Sequence, residues 1–189
     1  MTNGPVHQEG NTAGGHIAGR DVNVTISAPP VPQTALGRLF ARMKQEAAED
    51  QTLCDYIKEL EVFTRMVENE EVVGLDSKLR AAGRKDQVDM ATAMKELVFS
   101  QLRLNVFSPT FQQIYATLMG KIFEEFETWV KPAILKGQDR QAIDELVNTK
   151  VIRPITAEVE LCGDYEGVAP QTIRGMVYFL TGNCHIKWH

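Results

Sequence analysis

The sequence predicts an all-α protein: one helical domain of about six or seven helices over residues 34–189, preceded by a Gly/Pro-rich tail, 1–33, with one short strand. Three observations carry this reading. From Thr34 onward, apolar residues recur at steps of three and four, the spacing that lines one face of a helix. Before Thr34 the chain holds glycines at 4, 10, 14, 15 and 19 and prolines at 5, 29, 30 and 32, with very little apolar mass. At the far end, Arg174 to His189 is unusually apolar for a terminus: Met176, Val177, Tyr178, Phe179, Leu180, Ile186 and Trp188 all fall there. Terminal residues are ordinarily polar and frayed. An end of this kind buries itself, against its own domain or against another chain.

The totals bound the function. A 43% hydrophobic content supplies a core, and 189 residues suit one domain with an appendage. The formal charge is −5 and the charged residues are interspersed. Direct nucleic-acid binding is therefore not expected, because phosphate recognition calls for a basic stripe. Three cysteines, Cys54, Cys162 and Cys184, without a secretory leader, point to reduced thiols and a cytoplasmic protein. No apolar run approaches the roughly 20 residues that span a bilayer, so no membrane partner is expected.

Taken in order, residues 1–33 cannot bury enough surface to offset chain entropy. One island breaks the pattern, residues 16–27. There Val22, Val24 and Ile26 alternate with Asp21, Asn23 and Thr25, and Ile17 stands just ahead. Period-2 alternation of β-branched residues reads as a short strand. A lone strand is unstable in water, so it pairs with the same segment of another copy or stays unstructured. Pro29, Pro30 and Pro32 then form a stiff spacer.

Thr34 is placed to cap a helix bearing Leu36, Leu39, Phe40, Met43 and Ala47. A second helix is expected from about Asp50, with Leu53, Tyr56, Ile57, Leu60, Phe63 and Val67 on one face. Asp76 is expected to cap a short helix over 77–83, with Gly83 at its left-handed stop. From about Asp86 a long helix turns Val88, Ala91, Met94, Leu97, Val98, Leu102 and Phe107 inward, and Ser108-Pro109 stops it. The next, about 110–130, is the most hydrophobic: Phe111, Ile114, Tyr115, Leu118, Met119, Ile122, Phe123, Phe126 and Trp129. Its apolar groups fill more than one stripe, so it is central or turns one side to a partner chain. Pro132 ends or kinks it. Asp139 caps a helix with Ala142, Ile143, Leu146 and Val147 inward; at Pro154 it kinks or restarts, running to about Leu161. After a loop over Gly163–Gly167, Pro170 opens a final helix to about Leu180. Gly182 fits its left-handed stop, and 183–188 form a short extended tail.

Little in this chain resembles a catalytic or metal constellation. Cys184 and His185, with His189 and Cys162, are the one cluster of soft ligands, but they lack Cys-x-x-Cys or helical His-x₃-His spacing. On an extended chain Cys184 and His185 point to opposite sides, which does not suit a thiol and its base. No metal, cofactor or catalytic residue is assigned. Glu124, Glu125 and Glu127 lie among the apolar residues of the central helix. They lack the Glu-x-x-His partners of a carboxylate metal bundle, and read as a solvated edge.

Two strings resemble a bacterial group. Ile17-Ala-Gly-Arg-Asp-Val-Asn23 is similar to an "AGRD" segment near the N-terminus of many bacterial conflict-system proteins. Gly175-Met-Val-Tyr-Phe-Leu-Thr-Gly-Asn-Cys-His-Ile-Lys-Trp188 resembles the closing signature of proteins from ABC three-component, anti-phage defence systems. Val73-Gly-Leu75, Lys78-Leu79, Ala82-Gly-Arg84 and Ile152-Arg-Pro-Ile155 are similar to the same group. The resemblance implies a C-terminal helical dimerisation domain acting with an SMC/Rad50-like ABC ATPase and a middle component. In such proteins an effector domain often precedes the helical one; residues 1–33 leave no room for a nuclease or protease. The implied role is a non-enzymatic oligomerisation, adaptor or regulatory component.

The expected contacts between copies, in a dimer or higher oligomer, are Ile17, Val22, Val24 and Ile26 in the strand. In the helical domain they are Phe111, Tyr115, Tyr178, Phe179, Ile186 and Trp188. The competing reading is a small-ligand or nucleotide sensor, or a thiol-based enzyme using Cys184 and His185.

Overall fold

Side-chain oxygens set where three of the helices begin. The Thr34 hydroxyl accepts the amide of Gly37 at 2.9 Å, the Ser108 hydroxyl that of Phe111 at 3.2 Å, and the Asp139 carboxylate that of Ala142 at 2.9 Å. Each satisfies an amide three residues on, one of the four that the first turn leaves without a helical partner. Thr34 and Asp139 are the caps expected from sequence. Asp76 is not a cap: helix α3 (Leu75–Ala81) begins one residue ahead of it, and its carboxylate binds Arg80 Nε at 2.7 Å along the helix.

The computed structural model describes residues 34–48, 58–65, 74–162 and 170–188. The strand expected over 16–27, the start and end of the second helix, the loop over Gly163–Gly167 and His189 lie outside the described residues. Within them the protein is all-helical. Helix α1 (Ala35–Ala48) and α2 (Lys58–Thr64) precede α3, and a 3₁₀ turn (Lys85–Gln87) leads into α4 (Val88–Leu104). Next come α5 (Pro109–Glu125), a π turn (Phe126–Val130) and α6 (Lys131–Leu135). Then follow α7 (Arg140–Leu146), a second π turn (Val147–Ile152), α8 (Arg153–Glu160) and α9 (Pro170–Gly182).

The prolines do not break their helices. Backbone angles stay right-handed helical from Glu125 through Lys131 and from Leu146 through Arg153, so α5–α6 and α7–α8 are continuous rods. Counted this way, the described residues hold seven rods. The reason is the same in both. Pro132 and Pro154 have no amide to donate, and each ring would press on the carbonyl four residues back. The residue before each proline instead donates to a carbonyl five back, Lys131 to Phe126 and Arg153 to Asn148. This wider π loop makes room for the ring. The two π turns pack against each other, with Phe126, Val130 and Val151 fully buried between the rods.

Helix α5 is central within the single chain. It packs against α1, α2 and α9 and against the α7–α8 rod, and Ile114, Tyr115, Leu118, Met119 and Ile122 are buried. The sequence left open whether its extra apolar stripe met a partner chain. Much of that stripe is spent inside the fold, where Leu36 and Phe40 of α1 and Leu60 of α2 join the same core.

The most extensive helix pair is α4 with α9. At Gly175 an added Cβ would stand 2.6 Å from the Met94 carbonyl oxygen and 2.8 Å from Val98 Cγ2. Only glycine permits that approach. The turn of α4 that results sets Val88, Ala91, Val98 and Leu102 inward. Leu97 and Phe107, expected in the core, are 44% and 46% exposed. Phe107 lies beyond the helix, in the turn before Ser108.

Candidate functional site: the C-terminal lock

The last helix ends in a Schellman turn with an unusual left-handed residue. His185 N–H donates to the Leu180 carbonyl at 2.9 Å and Cys184 N–H to that of Thr181 at 3.1 Å. This pattern needs a left-handed residue at the position after the cap. Gly83 and Gly137 fill it in the turns after α3 and α6, both with φ 69°. After α9 it is Cys184, φ 68°, the single non-glycine residue with positive φ among the described residues. The stop expected at Gly182 therefore falls two residues later. Gly182 is helical and lies against the side chain of Lys95, 3.3 Å from an added Cβ.

The turn sends the chain back into the domain. Ile186 is fully buried, and Trp188 is 7% exposed. The indole N–H of Trp188 donates to the Thr181 hydroxyl at 3.0 Å. Its ring meets Phe126 of the first π turn edge-on, with centroids 5.2 Å apart. The guanidinium of Arg84 lies 4.5 Å from the Trp188 ring centroid. Arg84 is itself 2% exposed and pairs with the half-buried carboxylate of Asp144 on α7. A buried charge of this kind persists only when paired and hydrogen-bonded. The tail thus ties together the turn after α3, α7 and the first π turn.

A second set of contacts pins α2. Asn183 Nδ2 donates to the carbonyls of Phe63 at 3.1 Å and Thr64 at 3.3 Å. The His185 ring meets the Arg65 carbonyl at 3.1 Å through Nε2 and faces Phe63 edge-on at 5.8 Å. The C-terminal end of a helix exposes carbonyls without helical partners, and these side chains supply the donors.

Beside the lock lies a small polar cavity of about 120 Å³, lined by Gln87, Asp144, Asn148, Arg174, Tyr178 and Trp188 among others. Arg174 donates to Asn148 Oδ1 at 2.6 Å. Burial pushes the Tyr178 phenol above its ordinary pKa, and the neighbouring Arg174 opposes that rise. On the surface Arg140 binds Asp86 at 2.6 and 2.7 Å, an exposed pair that holds the Asp86 carboxyl below its ordinary value. A larger groove of about 410 Å³ runs between α4 and the end of α9, lined by Phe99, Leu102, Val106 and Phe179 with Lys95, Glu96 and Arg103.

The interface residues expected from sequence divide as follows. Ile17, Val22, Val24 and Ile26 lie outside the described residues. Tyr115, Tyr178, Phe179, Ile186 and Trp188 are buried within the one chain, and Phe111 is partly buried, stacked on Tyr115 at 4.2 Å. Tyr178 and Trp188 meet at the polar cavity. Tyr115 lies elsewhere, donating its hydroxyl to Gln101 Oε1 at 2.7 Å. Cys162 donates its thiol to the Glu158 carbonyl at 3.2 Å, and burial raises its pKa. Cys184 is buried. Among the described residues no group of three His, Cys, Asp or Glu side chains could hold a metal ion, and no helix is long and apolar enough to cross a membrane. Arg84, which anchors the tail, is not singled out by the sequence reading. Its one sequence signal is its place at the end of the Ala82-Gly-Arg84 string.

Fold and site together define a helical domain that closes on its own C-terminal tail. A family model covering residues 74–188, more than half the chain, matches it. The chain belongs to that family: C-terminal domain 9 of the ABC-three component (ABC-3C) systems. Residue 74 coincides with Gly74, the residue ahead of α3, so the match runs from that turn to Trp188. No curated protein and no solved structure matches the chain.

Proposed function

We propose that this protein is a non-enzymatic oligomerisation and adaptor component of an ABC-3C defence system. In this reading copies of the chain associate with each other and with the SMC/Rad50-like ATPase and middle component of the same system. The observation that carries the reading is the commitment of the polar groups around the lock. Arg84, Asp144, Asn183, His185 and the Trp188 indole are each spent on holding helices together. Such a domain offers a rigid surface rather than a reactive group. The segment 16–27, with Ile17, Val22, Val24 and Ile26, would supply a second contact between copies by strand pairing.

Light scattering of the full chain, followed by pull-down with the purified ATPase and middle component, tests this. A mass of two or more chains with retention of either partner is expected. A strict monomer that binds neither overturns it.

A second reading, a small-ligand sensor, draws on the polar cavity and the 410 Å³ groove, which falls in the range of ligand sites. A ligand-dependent rise in melting temperature, abolished by Arg174→Ala, would favour it. Fast selective labelling of Cys184 in the folded protein would favour the thiol-enzyme version instead.

A further inference from the structure

Three exposed apolar side chains on α4 stand seven residues apart: Met90, Leu97 and Leu104, 44%, 44% and 81% exposed. Seven residues advance a helix by two turns less about 20°, so the three form one nearly straight stripe. Along one side of it run two small exposed residues, Ala93 and Ser100, also seven apart. Beyond them run Glu96 and Arg103, again exposed and seven apart, with opposite charge. Within the chain α4 packs on α3 and α9 through its other face. The pattern of large apolar, small and charged rows repeating every seven residues is that of a helix-pairing seam.

The occupant follows from complementarity. Laid antiparallel about a two-fold axis near the middle of α4, two copies place Leu97 over Ser100 of the other copy and Leu104 over Ala93. The same register brings Glu96 of each copy beside Arg103 of the other, twice by symmetry. A parallel pair would set Leu97 on Leu97 and leave Glu96 opposite the uncharged Gln101. Large residues meeting small ones and acid meeting base single out the antiparallel arrangement.

We propose that α4 is the self-association helix of this domain, pairing antiparallel with α4 of a second copy through Leu97 and Leu104 seated on its Ser100 and Ala93. This rests on the self-association reading above and assigns it a surface. The partner is this chain itself, and any other occupant is an outcome of the test.

The test is sedimentation equilibrium of the full chain and of four variants, with far-ultraviolet circular dichroism to verify that each is folded. Leu97→Glu puts a charge on an already half-exposed site and is expected to yield a folded monomer. Glu96→Arg and Arg103→Glu each place like charges together at both symmetric pairs, and each is expected to weaken the dimer by about tenfold or more. The double variant Glu96→Arg/Arg103→Glu restores opposite charges and is expected to recover most of the affinity. A wild-type dimer unmoved by Leu97→Glu overturns the assignment to α4 but leaves self-association standing. So does a double variant as weak as the sum of the singles. A monomeric wild type overturns both. Loss of ATPase binding in Leu97→Glu with an unchanged mass also overturns it, and gives the face to that partner.

Discussion

Gly175 of α9 passes so close to Met94 of α4 that a methyl group on it would lie 2.6 Å from the Met94 carbonyl oxygen. A backbone atom cannot step aside as a side chain can. Gly175→Ala is therefore expected to force α4 and α9 apart and lower stability by about 1–3 kcal/mol. At Gly182 the neighbour is the flexible Lys95 side chain, 3.3–3.5 Å away. Gly182→Ala should be much milder. Urea unfolding of the two variants makes the comparison, and equal midpoints would refute the close-approach account.

Trp188 joins three parts of the domain, so its removal is felt twice. Trp188→Ala loses a large buried side chain, a change that typically costs about 3–5 kcal/mol, and it takes the aromatic face from Arg84. Thr181→Val keeps the volume but leaves the indole N–H without its acceptor, at about 1–3 kcal/mol. Because Trp188 and Thr181 share one bond, their effects should not add. A double-mutant cycle on the unfolding free energy checks this; strict additivity would mean that the hydrogen bond contributes nothing.

Asn183→Ala removes its own two hydrogen bonds to the end of α2 and leaves that of His185. The expected effect is local, about 1 kcal/mol per lost bond. Amide exchange should quicken over 58–65 while α4, α5 and α9 keep their protection. Uniform loss of protection across all helices would show that α2 is not held separately.

Tyr115 and Tyr178 are both neutral phenols whose burial raises their pKa above the ordinary value of 10.0. A raised folded pKa contributes stability that is complete below the unfolded value and lost as pH climbs toward the folded one. The melting temperature should hold up to about pH 10 and fall beyond it. In Tyr115→Phe the starting stability drops with the loss of the Gln101 bond, but the alkaline decline should be shallower. Melting curves from pH 8 to 11 decide; an unchanged slope would remove Tyr115 from the account.

Much of the helical framework was legible, because apolar spacing and the short polar caps are local signals. Thr34 and Asp139 read correctly for that reason, as did the glycine stop at Gly83. What failed depended on distant or cooperative structure. A 3.6-residue count has no place for a π turn, so whether the helices end or continue at Pro132 and Pro154 stays open in the sequence. The face of α4 that meets α9 bears Val88, Ala91, Val98 and Leu102, which leaves Leu97 on the other side. Asp76 precedes a helix-forming stretch like a cap, yet Arg80 four residues on captures it. Lys78 in α3 and Arg84 in the turn after it are buried charged residues, 0% and 2% exposed, in a stretch whose composition reads as surface. At the tail, burial of Ile186 and Trp188 was legible from composition alone, but their anchors, Thr181, Phe126 and Arg84, were not.

The position of α9 and its lock has a consequence for synthesis. The helix that contacts α3, α4 and α5 is made after all of them, and the side chain that fixes it to Arg84 lies at residue 188. The earlier helices leave the ribosome with their mutual groove unfilled. A chain that stops short of Trp188 keeps α9 but leaves Phe126 and Arg84 without the ring that covers them. Among the described residues, the contact that closes the domain on Arg84 and Phe126 is therefore the last to be made.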